Sequence, residues 1–294
     1  MRCHYRCDVK EEKTMTTKSP DLSDTYVSSE RADVWHRAKA RREESMGAAT
    51  EMMLDLAKIR AGDRVLDVAA GTGDLSMMAA KRVGPNGHVL ATDISASMLN
   101  RAAQAAREAG LSNVETCVMN AENLELDPSS FDAVLCRSAL MLFSDPLKSL
   151  TSMQRVLKSE RRVAVMVHST AASNPFHGLP PEIVRRIERM PTPPPRQPGL
   201  FALADHGVLE KTFTKSGLHD VSICPVAIKR RFSSLKEAIK SMKESSVFLQ
   251  DLVAKLNDAE QNKAWKEIEH QMSQFENANG FEAPGEVLIG VGTK

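Results

Sequence analysis

The run Val65-Leu-Asp-Val-Ala-Ala-Gly-Thr-Gly-Asp74 constrains this chain more than any other stretch. Val65, Leu66 and Val68 form a short apolar run that ends in small residues and two glycines, and Leu75–Val83 then takes up a helical pattern. The pattern predicts a buried strand, a tight turn, and a helix whose first backbone N–H groups are free to meet a ligand. In an open α/β sheet, the crevice beyond the carboxyl end of such a strand accepts a nucleotide-like molecule.

A pyrophosphate-binding turn needs G-x-G-x-x-G/A, so that backbone and helix N-terminus can hold two phosphates. Here Ser76 stands where the third glycine or alanine belongs, and Asp74 puts a carboxylate in the first helical turn. Like charges at that distance oppose phosphate binding. S-adenosylmethionine (SAM) has no phosphate, and its ammonium and sulfonium favour a neighbouring carboxylate such as Asp67. Gly87-His-Val-Leu-Ala-Thr-Asp93-Ile reads as a second strand ending in an acid. Asp93 lies at the offset of about 20 residues at which a carboxylate accepts from ribose hydroxyls. Asp93 therefore indicates adenosine, and Asp74 favours SAM over a dinucleotide.

With these residues the chain resembles the class I SAM-dependent methyltransferases, most of all the ubiquinone/menaquinone-biosynthesis C-methyltransferase group. The resemblance covers about residues 45–170 and, more loosely, the tail to 294. Asn120-Ala-Glu-Asn-Leu124 is similar to the family's D-A-E-N-L segment, whose acid meets the adenine amine. Phe131-Asp-Ala-Val-Leu-Cys-Arg-Ser138 looks like the fourth strand, and Arg155-Val-Leu-Lys158 like the family's R-V-L-K-P-G-G. Two positions depart from the pattern. Asn120 replaces the acid but keeps an amide oxygen that can accept. Ser159-Glu-Arg-Arg162 replaces P-G-G, so a looser turn into strand five is expected where no glycine takes positive φ.

The resemblance implies an α/β fold, a Rossmann-like doubly wound seven-stranded and mostly parallel sheet. N-terminal helices precede it, and a helical cap is inserted before the last strand. It also implies a set of cofactor contacts. Asp67, Ala69, Gly71 and Gly73 would surround the methionine end, and Asp93, Ile94 and Met98 would hold ribose and adenine. Asn120, Ala121 and Glu122 would close the adenine edge, with Arg137 and Ser138 lining the floor after strand four. The structural alternatives are a strand-end cap for Asp67 and core packing for Ile94 and Met98.

A length of 294 residues fits one large domain or a core with a cap. We expect a disordered segment over 1–27, then a methyltransferase domain over 28–294. Its parts would be N-terminal helices (28–60), a SAM-binding core (61–170) and cap or substrate elements (171–218 and 233–280). The first helix begins near Ser28, and a second covers about Met46–Lys58. The basic cluster Arg37, Lys39, Arg41 and Arg42 reads as a solvated helix face. Further helices are expected at Ala96–Ala109, Pro180–Met190, His206–Ser216, Leu235–Leu256 and Glu260–Phe275. Strands are expected at Asp220–Phe232 and Glu286–Gly292, and Pro191–Pro198 is too proline-rich for regular structure.

A net charge of +1 gives no general attraction to nucleic acid or anionic membrane, and no apolar run approaches the ~20 residues of a membrane span. Five scattered cysteines fit a reducing, cytoplasmic setting. Cys3-His-Tyr-Arg-Cys7 lacks the second pair a zinc site needs, so no metal is expected.

Methyl transfer from SAM requires alignment above all. A base is needed only where the acceptor must lose a proton. His168, where strand five ends, is the candidate base, its ordinary pKa of ~6.5 suiting neutral pH; a backbone-bonded structural histidine is the alternative. His177 and His206 are weaker candidates. Met141, Phe143, Phe176 and Phe201 could line an acceptor pocket or simply be core. The residues after strand four, Arg137-Ser-Ala-Leu140, lack the prolines of nucleobase amino-methyltransferases, which Asn174-Pro-Phe176 matches only faintly. The expected reaction is methylation of a small, apolar or aromatic acceptor. A non-catalytic SAM-binding scaffold and a nicotinamide-dependent oxidoreductase are the rival readings.

Overall fold

A computed structural model of the chain describes residues 29–190, 197–205 and 207–294. Expectations for residues 1–27, for the stretch 191–196 and for His206 lie outside these residues. Five parallel strands form the centre: β1 (Arg64–Val68), β2 (His88–Asp93), β3 (Val114–Val118), β4 (Phe131–Arg137) and β5 (Leu157–His168). Two long strands follow, β6 (His219–Phe232) and β8 (Gly280–Thr293), with β8 antiparallel to both β5 and β6. The order is β3-β2-β1-β4-β5-β8-β6, and the two-residue β7 (Glu276–Asn277) pairs with the start of β8 to make an eighth strand. Because β1 has β2 on one side and β4 on the other, the chain's direction of winding reverses there. Such a switch point opens a crevice at the strands' carboxyl ends.

Alternation along the strands divides two cores between the faces of the sheet. On one face Val65, Val89, Leu135, Met166 and Ile289 meet α2 (Lys39–Leu56) and α3 (Asp74–Val83) through Met46, Ala49, Met53, Leu75 and Ala79. On the other, Leu66, Leu90, Val134 and Val165 meet α5 (Pro146–Val156) and α7 (Val208–Lys215) through Leu150, Met153 and Phe213. Local chemistry sets the helix starts. Ser95 caps α4 (Ala96–Glu108) by accepting from the Met98 N–H. Asp145 caps α5 by accepting from the Lys148 N–H, with Pro146 at its first position. α1 (Ser29–Arg37) precedes α2 and packs against α4.

A third core forms the cap, where α6 (Pro175–Glu188), α8 (Leu235–Ser245), α9 (Val247–Val253) and α10 (Asp258–Met272) enclose Phe176, Val184, Met242, Ile268 and Phe281. The Phe176 and Phe232 rings stack at 5.3 Å between centroids, and Phe281 meets both edge-on.

Several boundaries differ from expectation. α2 begins at Lys39, not near Met46. α6 begins at Pro175, not Pro180; Asn174 ends the preceding turn, and the two later prolines are taken inside the helix. The expected helix over 235–256 breaks at Ser246, which closes α8 and opens α9. β8 starts at Gly280 because Phe281–Gly285 extends the ladder with Ile228–Phe232 and Gly280 pairs with Asn277. Finally, Ser159–Arg162 is no loose turn but part of β5. Glu160 takes φ +61° without a glycine, and its N–H donates to the Lys294 carbonyl, which fixes the segment.

Candidate functional site

The turn after β1 is held by its own backbone and one carboxylate. The Ala70 N–H donates to the Thr92 carbonyl at 2.9 Å, and the Gly73 N–H to the Ala70 carbonyl at 3.0 Å. Ala69, Gly71 and Gly73 have φ of +55°, +55° and +81°. Only Gly73 is also crowded: a Cβ there would lie 2.8 Å from the Ala102 Cβ and 2.9 Å from the Met77 methyl. Gly73→Ala should therefore destabilise the fold by about 2 kcal/mol, from strained φ and the clash with α4. A urea midpoint unchanged from wild type would contradict this.

Asp93 ends β2 and faces this turn. Its Oδ2 accepts from the Gly71 N–H at 2.9 Å and its Oδ1 from the Ser95 N–H at 2.9 Å. Burial raises its proton affinity above the usual carboxylate value, which those backbone donors oppose. The carboxylate keeps lone pairs for further donors. Asp67, at the end of β1, is enclosed and accepts from the Ser76 hydroxyl at 2.6 Å. Burial is the dominant influence and pushes its pKa up to about 7, against the Ser76 hydrogen bond and the Arg137 charge. Ser76, a defect for a phosphate turn, here serves as the donor to Asp67.

Asp74 is not the bare negative charge that its position in the sequence suggests. Arg42, on α2, donates to its Oδ2 from Nη2 at 2.6 Å and from Nε at 3.1 Å. Arg137 Nη2 lies 3.7 Å from the same oxygen. Arg42 also donates to the Trp35 carbonyl and packs under the Trp35 ring at 4.4 Å. The indole Nε1 lies 3.4 Å from where a Gly71 Cβ would stand, so α1 covers the turn. Arg42 is 5% exposed, which corrects its reading as part of a solvated basic face. The missed signal was its register: Arg42, Met46, Ala49 and Met53 share the buried stripe of α2.

The other candidates lie along the same edge of the sheet. Ile94, directly after β2, is 44% exposed, whereas Met98, in the first turn of α4, is buried. Asn120 accepts from the Glu122 N–H at 2.8 Å through its side-chain oxygen, forming a local turn around Ala121. Glu122 in turn accepts from the Asp145 N–H at 3.0 Å. Arg137 donates to the Thr50 hydroxyl at 3.1 Å, and Ser138 has φ +59° with its N–H on the Met166 carbonyl.

His168 ends β5 beside His177, their ring centroids 5.4 Å apart. Burial, with the Arg230 charge adding to it, lowers the His168 pKa to about 3. The imidazole is therefore neutral at pH 7, with little of the proton affinity expected of a base. Asn174 is a clamp: its amide donates to the Thr170 and Glu286 carbonyls and accepts from the Glu286 N–H. That amide is committed to backbone and to His168, so Asn174-Pro-Phe176 is not a grip for a planar amine. Met141 lies in the core below β4, Phe143 packs against it, and Phe176 belongs to the cap core.

Among the described residues no group of three or more His, Cys, Asp or Glu side chains could hold a metal ion. No helix there is long and apolar enough to cross a membrane.

A sequence profile described as a methyltransferase domain matches residues 59–192. The ubiquinone/menaquinone biosynthesis C-methyltransferase of Idiomarina loihiensis is 37% identical over 121 residues, covering 41% of this chain and 48% of that protein. The enzyme of the same description from Methylococcus capsulatus is 39% identical over 117 residues, covering 40% and 47%. The chain thus spans about half the length of the curated relatives it matches. Among solved structures, the YcgJ protein from Bacillus subtilis aligns with a TM-score of 0.57 at 21% identity, over 84% of this chain and 98% of that one. A putative methyltransferase from Bacillus halodurans aligns at 0.55 and 18% identity, over 84% and 99%. Those two likenesses establish the fold. Residues 59–192 of this chain are thus similar to a methyltransferase domain.

Proposed function

We propose that the chain transfers a methyl group from SAM to a small acceptor. The observation that carries this reading is the Asp93 carboxylate at the end of β2, 2.9 Å from the Gly71 N–H. An internal carboxylate holds the donor that a pyrophosphate turn would offer its phosphate, and it stands where ribose hydroxyls need an acceptor. Asp67 fits a cationic ligand, since a nearby positive charge favours its ionised form, and exposed Ile94 offers an apolar surface for a flat base.

When bound, SAM supplies a methyl carbon already activated by the sulfonium. The chain's own work is then positional. Asp93 fixes the sugar end and Asp67 the charged end. With His168 held neutral and weakly basic, alignment carries the rate, as it can in a direct displacement. We further propose, from the +1 net charge, a small molecule rather than a nucleic acid as acceptor. Cys117, Cys136 and Cys224 are in no disulfide, which supports a cytoplasmic setting.

Incubation with methyl-labelled SAM and a panel of phenols and quinols tests this directly. Label in an acceptor is the expected result. Tight SAM binding without transfer to any acceptor would favour the scaffold reading. His168→Ala is expected to leave SAM affinity unchanged.

A pH prediction follows from Asp67. Its pKa is raised on folding, so the proton it retains stabilises the fold below the ordinary carboxylate range, and this contribution is lost as pH rises through about 7. A cationic ligand prefers the ionised form, so SAM binding near neutrality should release a proton. Affinity should rise by up to about tenfold between pH 6 and 8. Asp67→Asn should abolish both effects; calorimetry in buffers of different ionisation heat reads the proton, and none released from wild type would contradict the assignment.

A further inference from the structure

The sheet continues past the cofactor crevice into a second polar cluster that the methyl donor does not use. His168 pairs with Val287 on β8, and Val287 pairs with Val226 on β6. Cross-strand partners share a face, and so do alternate residues along a strand. Ile228 and Arg230 therefore lie on the same face as His168, further along β6 beyond the end of β5. His177, in the first turn of α6, faces His168.

Three features of this cluster are unusual together. His168 is 4% exposed and its Nδ1 has no hydrogen-bond partner among the described residues; the enclosed Nε2 of His177 has none either. Buried polar atoms left unpaired are rare because each forfeits its hydration without compensation. Arg230 makes no ion pair or hydrogen bond among the described residues, although burial, and then the Arg42 charge, lower its pKa to about 10. A half-buried guanidinium with no carboxylate beside it offers an anion a charge partner partly withdrawn from water. Arg42 cannot relieve it, since Arg42 is a cation already committed to Asp74.

We propose that this cluster is the acceptor subsite and that the acceptor is anionic, its carboxylate or phenolate oxygen held by Arg230 with His168 and His177 as neutral hydrogen-bonding partners. The proposal rests on the methyltransferase reading and adds the substrate class to it. Neutral imidazoles suit this task, each offering one N–H to an oxygen anion without itself requiring a counter-charge. A guanidinium fork matches a carboxylate or a phenolate oxygen. Arg230 and the two histidines then act as binding residues for the acceptor, and no proton need leave an acceptor that arrives ionised.

The test is binding to the full chain saturated with S-adenosylhomocysteine, using benzoate, 4-nitrophenolate and the neutral isostere benzamide as probes. The cofactor affinity itself is measured in the same series. At least one anion is expected to bind about tenfold or more tightly than benzamide, the scale of a charge-assisted hydrogen bond. Which anion wins separates a carboxylate from a phenolate acceptor. Arg230→Gln should remove the preference while leaving S-adenosylhomocysteine affinity within about twofold, and Arg230→Lys should retain part of it. Equal binding of benzamide and both anions by the wild-type chain would overturn the proposal without any variant. A loss of S-adenosylhomocysteine affinity in Arg230→Gln matching the loss of anion affinity would also overturn it, assigning Arg230 to the cofactor's carboxylate. Failure of the wild-type chain to bind S-adenosylhomocysteine would instead refute the methyltransferase reading.

Discussion

Arg42→Ala is expected to destabilise the chain by about 3 kcal/mol, read as a lowered midpoint in urea. The substitution leaves the Asp74 carboxylate buried with only Arg137 nearby, at 3.7 Å. Removing one partner of a buried pair costs about 3–5 kcal/mol, because the survivor is charged and unhydrated; Arg137 places this site at the lower end. The double variant Arg42→Met, Asp74→Asn removes both charges and should recover most of the loss. A cost below about 1 kcal/mol for Arg42→Ala, typical of an exposed ion pair, would contradict the buried geometry.

Asp93→Ala is expected to weaken SAM binding by about 3 kcal/mol, roughly a hundredfold. Two ribose hydroxyls lose a charged acceptor, each worth about 1.5–3 kcal/mol, and the Gly71 N–H loses the partner that orders the turn. Stability should change less than affinity, since Ser95 still caps α4 through its own hydroxyl. Unchanged SAM affinity in this variant would remove Asp93 from the site.

The central sheet and the turn were legible because their signals are local. Val65–Asp74 carries a strand, a glycine turn and a helix start within ten residues, and Asp93 announces itself by its offset from Gly71. Asp74 argued against phosphate as a free charge, yet Arg42 neutralises it from a helix 32 residues earlier. The Asp93 carboxylate on the Gly71 N–H replaces that argument. No local pattern ties Arg42 to Asp74, although its register with Met46 and Met53 shows that it faces inward.

The edge of the sheet was harder to read for a similar reason. Glu160 holds positive φ because the C-terminal Lys294 pairs with it, and Phe281–Gly285 becomes strand only because β6 is long enough to pair with it. His168 shows the same limit in its chemistry. Its place at a strand end was readable, but its pKa depends on the burial and the Arg230 charge that only the tertiary fold supplies.

Parallel calorimetric titration of the purified chain with SAM, S-adenosylhomocysteine and NADH tests the central claim most directly. Saturable binding of the two adenosyl-sulfur ligands is expected, lost together in Asp93→Ala, with no heat from NADH. Binding of NADH with none of SAM would contradict it, returning the crevice above β1 to a dinucleotide.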